Sequence, residues 1–149
     1  MQLTMTTDYA IRSILYLASV RRTADAREIS EAMHISRTYI ISTMAALRKA
    51  GIVASKAGVN GGYWLVKRSE DVSLLDIIVC IEGTIKLNRC QESDRFCSRD
   101  AVDTCPVRWF YEDIQRRTEE IFRNKTIASL LAESERGKRG EPTQGGTSQ

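Results

Sequence analysis

The sequence predicts a mainly α fold with a small β wing, and three observations carry that prediction. Before Gly51, apolar residues recur at helical spacing in three successive segments separated by short breaks. Over 52–66 the pattern turns strand-like on either side of a glycine-rich turn, and beyond Pro106 a long segment holds apolar residues at approximately heptad spacing.

The first helix spans Asp8 to Val20: Ile11, Ile14, Leu15 and Leu17 share a face with Ala10 and Ala18, and Thr7 is the expected N-cap. Thr23 or Asp25 caps a short second helix ending at Met33, with Ile29 and Met33 four apart on its buried side. His34 and Ile35 form a tight break, Ser36 caps a third helix over RTYIISTMAALRKAG, and Gly51 ends it as a residue suited to the left-handed region. The strands are IVAS (52–55) and YWLV (63–66), joined by AGVNGG. Three helices followed by a two-stranded ribbon make a winged helix-turn-helix. Ser73 then caps SLLDIIVCIEG, whose Leu74, Ile77, Ile78 and Ile81 form an apolar face. Pro106 opens a long helix to about Asn124, with Val107, Phe110, Ile114 and Ile121 in line, and Thr126 restarts a short helix through Leu131.

This order divides the chain into a winged helix-turn-helix domain (1–82), a cysteine loop (83–105), a long dimerisation helix with a C-terminal helix (106–133) and a polar tail (134–149) expected to be disordered. The long helix carries Trp109, Phe110, Tyr111, Ile114, Ile121 and Phe122, more apolar surface than a small domain covers by itself. A homodimer is therefore expected; the alternative is a helix folded back on its own domain.

With 149 residues, 42% hydrophobic and 28% charged, the chain is of single-domain size and of ordinary globular composition. No apolar run approaches the roughly 20 residues of a membrane span, and MQLTMTTDYA lacks the pattern of a signal peptide, so no membrane is expected and the cytoplasm is the expected compartment. The net charge of +3 conceals an asymmetry. Residues 1–68 carry ten Lys or Arg against four Asp or Glu, whereas residues 69–149 carry twelve against fifteen. A basic N-terminal half points to a polyanion-binding module. In a winged helix-turn-helix the motif's second helix enters the major groove of double-stranded DNA, and here its first residues are Ser36, Arg37, Thr38 and Tyr39. Arg37 suits a guanine edge; Thr38 and Tyr39 suit phosphate or thymine-methyl contacts; Lys56 and Asn60 sit on the wing within reach of backbone or minor groove. The alternative is a solvated basic face on a protein-binding winged helix.

Three cysteines, Cys90, Cys97 and Cys105, fall within sixteen residues, spaced C-x6-C-x7-C. That spacing is neither the C-x2-C of zinc ribbons nor the tight run of bacterial ferredoxins. Such a loop can wrap a metal cluster or carry thiols that react singly, and Arg89, Arg95 and Arg99 favour thiolates against the opposing Glu92, Asp94, Asp100 and Asp103. Cys80, among Ile77, Ile78, Val79 and Ile81, reads as a small core residue. No nucleophile and base pair and no nucleotide-binding glycine loop is present, which argues against an enzyme.

MQLTMTTDYAIRSILYLA, ISRTYIISTMAALRKAGIVAS, GVNGGYWL, SLLDIIVCIEG and the cysteine loop running into CPVRWFYEDI together resemble, over residues 1 to about 133, the Rrf2 family of dimeric winged-helix regulators, which includes IscR-like and NsrR-like members. The resemblance implies a homodimeric transcriptional regulator that binds a two-fold symmetric operator and holds an iron-sulfur cluster on the loop cysteines, a 4Fe-4S cluster in preference to a 2Fe-2S one. IscR-like members place a histidine ligand three residues after the last cysteine, where this chain has Arg108; the sole histidine, His34, lies at a helix boundary. NsrR-like members take the fourth ligand from an aspartate near the partner subunit's N-terminus, and this chain has Asp8 there. The implied ligand set is Cys90, Cys97 and Cys105 with Asp8 of the partner subunit. In the DNA surface, Ala57 stands where many members carry a wing arginine, and Ile41 where an acidic residue is common. The implied signal is nitric oxide, redox state or iron and iron-sulfur status. A metal-free thiol switch or a zinc site on the same dimer is the competing expectation.

Overall fold

A computed structural model describes residues 3–139 of the chain. Six helices and one ribbon follow in the order α1 (Met5–Val20), α2 (Ala26–Met33), α3 (Arg37–Lys49), β1 (Val53–Lys56), β2 (Gly62–Leu65), α4 (Leu74–Glu82), α5 (Pro106–Asn124) and α6 (Ile127–Lys138). The expected mainly α winged helix-turn-helix with a long following helix is what the chain forms.

Helix α1 packs against α3, α4 and α6, and its Ala10, Ile14, Leu17 and Ala18 are buried together with Ile29, Ile40, Met44, Leu47, Val53 and Ile77 in one core. The helix begins a turn earlier than expected. Thr4, in extended backbone, is the N-cap, while Thr7 is fully buried and donates its hydroxyl to Glu82 at the end of α4. Glu82 also accepts from the Thr4 amide at 2.8 Å and the Thr4 hydroxyl at 2.9 Å. Asp25 caps α2 by accepting the Glu28 amide at 2.8 Å, and His34 ends α2 in the left-handed region, so the break before α3 is built from backbone geometry. Ser36 occupies the N-cap of α3 as expected, but its hydroxyl makes no capping bond.

The strands pair antiparallel with Val53 opposite Leu65 and Lys56 opposite Gly62. Tyr63 and Ala24 exchange backbone bonds of 3.0 and 2.8 Å, so the segment before α2 adds a short rung to the wing. That close approach needs glycine at 62: a Cβ there would lie 2.5 Å from the Ala24 carbonyl oxygen, at a φ of +145°.

Helix α4 starts at a reciprocal Ser73 and Asp76 capping box, and buries Ile77 and Ile78 fully. Helix α6 returns to this first core: Ile127 is fully buried in it, Leu131 packs against it, and Leu74 donates to the Lys125 carbonyl at 2.8 Å. It also continues past the expected end at Leu131 to Lys138, so the polar segment expected to be disordered from Ser134 opens as helix, with Glu133 held by Lys125. Residues 140–149 of that expected tail lie outside the described residues. Among the described residues no helix is long and apolar enough to cross a membrane.

The Glu82 carboxylate sits below its ordinary pKa because the Thr7 hydroxyl and then the Thr4 backbone bond to its charged form. Glu82→Gln is expected to lower stability at neutral pH by about 1–2 kcal/mol. A lowered folded pKa means stability present above the unfolded value, about 4.3, and lost as pH falls through the folded one. Urea unfolding of both proteins between neutral and acid pH checks this, with the two curves converging in acid.

Candidate DNA-binding surface and cysteine cavity

Helix α3 turns Ile40, Thr43, Met44 and Leu47 into the core, leaving Arg37, Thr38, Ile41, Ser42 and Ala45 on the outer face. Ser36, Arg37, Thr38 and Tyr39 are all exposed, as a helix that reads base edges requires. Tyr39 is nonetheless tied down: its ring meets Tyr9 of α1 edge-on at 5.4 Å between centroids. A groove of about 500 Å³ runs between α2, α3 and the wing, lined by Arg27, Arg37, Ile41, Ser55 and Lys56. A second cleft of about 760 Å³ lies between α1 and β2, where Lys56 and Asn60 meet Arg21, Arg22, Arg68 and Trp64. The sequence reading missed Arg27, Arg21 and Arg68, since cations from distant segments carry no shared motif. Arg48, in the last turn of α3, donates to the Ser55 hydroxyl at 3.0 Å and links α3 to β1.

Asp8, in the first turn of α1, is exposed and pairs with Arg12 at 3.2 Å. Arg12 also donates to the Met33 carbonyl at the end of α2 and lies over the Tyr9 ring. One small set of contacts thus joins Asp8 to the turn before α3 and, through Tyr9 and Tyr39, to the start of α3 itself.

The cysteine loop follows α4 and is a chain of tight turns. A 3-10 turn at Arg89–Gln91 begins at an Asn88 and Gln91 capping box, and further turns close at Arg95, Asp100 and Thr104. Helix α5 anchors it: the Leu87 amide donates to Gln115 at 3.0 Å, Lys86 pairs with Glu119 at 2.9 Å, and Arg108 Nε donates to the Cys90 carbonyl at 3.4 Å. Cys90, Cys97 and Cys105, all half-buried free thiols, line a single cavity of about 270 Å³ with Phe96, Val107, Arg108 and Tyr111.

The charges around this cavity act otherwise than the sequence led one to expect. Arg89 is paired with Asp94 and Arg95 with Asp103, so those cations are largely spent on neighbouring carboxylates. The Cys97 thiol is held below its ordinary pKa chiefly by the backbone N–H groups of Ala101 and Arg99, with the Arg99 charge adding to them. Cys80 packs against the core and donates to the Ala46 carbonyl at 3.5 Å; burial pushes its pKa up.

Whether the cavity fits a metal group turns on how the thiols are spread. Among the described residues no three His, Cys, Asp or Glu side chains gather around one ion position. Three free thiols do line the wall of one small cavity, and thiolates are ligands that both zinc and iron-sulfur clusters take.

An exposed, partly basic second helix beside a β ribbon defines a winged-helix DNA-binding regulator. A family model described as "Rrf2: Iron-dependent Transcriptional regulator" matches residues 3–133. The chain belongs to this family of transcriptional regulators and is not an enzyme. It is 30% identical over 137 residues to the HTH-type transcriptional regulator IscR of Sodalis glossinidius (strain morsitans), covering 91% of this chain and 81% of that one. The structure of T. potens IscR superposes with a TM-score of 0.68 at 25% identity, covering 99% of this chain and 94% of that one. That of CymR, the global cysteine regulator of B. subtilis, gives 0.74 at 22% identity, covering 89% and 97%, a likeness of fold alone.

Thiolate fraction controls alkylation. In metal-free protein near neutral pH, Cys97 is expected to react with iodoacetamide well before Cys80, an order that peptide mass spectrometry reads directly.

Proposed function

We propose that the protein is a homodimer that binds a two-fold symmetric operator in double-stranded DNA and senses nitric oxide, redox state or iron and iron-sulfur status. Cys90, Cys97 and Cys105 hold a 4Fe-4S cluster, and Asp8 of the partner subunit supplies the fourth ligand. The observation that carries this reading is the shared cavity of the three thiols. When bound, the cluster supplies a centre reactive to nitric oxide and oxidants. A carboxylate is a hard, weak ligand for iron beside thiolates, and is the ligand a sensor releases first.

The dimer reading rests on α5. Gln115 is its one buried residue among those described, while Val107, Phe110 and Ile121, which share a face, are each more than half exposed. A second copy of this face is the cover such an apolar stripe calls for. In that dimer the Asp8 carboxylate has two partners to choose between, the cluster and Arg12. Released from the cluster, it pairs with Arg12, which also holds the Met33 carbonyl beside the α2–α3 turn. The choice therefore biases the position of α3. A coupling of about 1–3 kcal/mol changes affinity roughly 5- to 150-fold. On the DNA, Arg37 reads a base edge from the major groove with Ser36, Thr38 and Tyr39 beside it, and Lys56 and Asn60 hold the backbone from the wing.

A metal-free thiol switch is the second reading, favoured by the lowered pKa of Cys97. Oxidation would then join two loop thiols.

Anaerobic purification with iron and sulfide analysis decides between them: the cluster reading expects about four irons per subunit in the wild type and loss of colour in Cys97→Ala. Wild type without iron and sulfide after reconstitution leaves the thiol switch. In operator titrations, Asp8→Ala is expected to bind DNA with the same affinity whether or not the cluster is present, whereas the wild type differs between the two states. Arg37→Ala should weaken the specific site by about 1–3 kcal/mol, and Lys56→Ala should weaken all sequences alike and reduce the salt slope by about one.

A further inference from the structure

Arg108 stands out among the cations near the cysteine cavity. Its side chain is 16% exposed, against 64% for Arg89 and 52% for Arg95. It lines the cavity beside Cys90, Cys97 and Cys105, and its Nε is directed to the Cys90 carbonyl. It also sits in the first turn of α5, after the Cys105 N-cap, where the helix dipole disfavours a cation and where no acidic residue is present. Its carboxylate partner, Glu112 at 2.6 Å, is 44% exposed and so screened by solvent. A guanidinium of low exposure beside one solvent-screened carboxylate keeps positive charge available on its cavity side.

We propose that Arg108 is a positioning cation for the cluster: it offsets the negative charge that three thiolates and a carboxylate bring into the cavity, and thereby sets the ease with which the cluster accepts an electron. This rests on the cluster reading above. One-electron reduction, with the electron drawn from an outside donor such as dithionite, adds one negative charge and no bond is made or broken. A nearby cation of low exposure favours that reduced state, since net charge and solvent access are the protein's levers on such a potential. Glu112 opposes it by partly neutralising Arg108. The two residues thus act with opposite sign, which a purely structural brace does not do.

The test compares anaerobic, reconstituted full-length wild type with Arg108→Gln, Arg108→Lys and Glu112→Gln, reading iron and sulfide content first and then the midpoint potential by spectroelectrochemistry. Far-UV circular dichroism confirms that each variant folds. Arg108→Gln is expected to make one-electron reduction about tenfold less favourable, a fall of about 59 mV. Arg108→Lys should stay near the wild type, and Glu112→Gln should move the potential upward. Loss of the cluster from Arg108→Gln with retention in Arg108→Lys also supports a role in charge. Equal potentials in wild type and Arg108→Gln, shifts of the same sign in Arg108→Gln and Glu112→Gln, or loss of the cluster from both Arg108 variants would overturn the proposal while leaving the cluster intact in the wild type. A wild type without iron and sulfide removes the cluster reading, and this proposal with it.

Discussion

The carboxylate of Glu82 is the point on which the rest of the structure turns. It accepts from the Thr4 amide and from the hydroxyls of Thr4 and Thr7, so the last residue of α4 closes onto the first turn of α1. Helix α1 in turn packs on α3, the helix whose outer face is free for DNA, and on α6. Helix α4 leads directly into the cysteine loop. A single charged group, satisfied by three donors and therefore held in its ionised form, fixes the start of the loop relative to the helix that carries Asp8. Had α1 begun at Asp8, as its periodicity alone implies, neither threonine would be held in the helix's opening turn to meet Glu82.

The electrostatics of the loop divide between side chains that cancel and backbone groups that do not. Arg89 with Asp94 and Arg95 with Asp103 form exposed pairs, whose net effect on a neighbouring thiol is small. Backbone N–H groups of Arg99 and Ala101 instead lie against the Cys97 thiol. The turn is closed by the bond from Asp100 to the Cys97 carbonyl, with Asp100 itself at a positive φ of 49°. Loop shape, more than arginine count, is what favours a thiolate there.

These contrasts explain what the sequence revealed and what it withheld. Local chemistry was legible: the Ser73 cap of α4, Pro106 at the first turn of α5, Gly51 after α3, and the apolar faces of α1 and α4 are all decided within a few residues of chain. Features settled across long separations were not. The choice of Thr4 over Thr7 depends on Glu82, 75 residues beyond Thr7. The extension of α6 to Lys138 has the Lys125 and Glu133 pair behind it, and the residue type of Ser36 did not announce that its hydroxyl makes no capping bond. At the candidate site, the three cysteines announced themselves by spacing, yet their common cavity and the low exposure of Arg108 depend on how α5 lies against the loop.

Helix α5 unites the two halves of the proposed device. Arg108, Tyr111, Gln115 and Glu119 form the stripe that holds the loop, through the Cys90 carbonyl, the cavity wall, the Leu87 amide and Lys86. Val107, Phe110 and Ile121 form the exposed apolar stripe, offset by about one residue and hence by roughly 100° around the same cylinder. A helix of 19 residues is a rigid body compared with a loop of tight turns. A group bound in the cavity and a second subunit on the apolar stripe would therefore grip the same rod from adjacent sides. Cavity occupancy and dimer geometry would then share one mechanical element, and the proposed Asp8 contact across the dimer would reach α3 through Arg12.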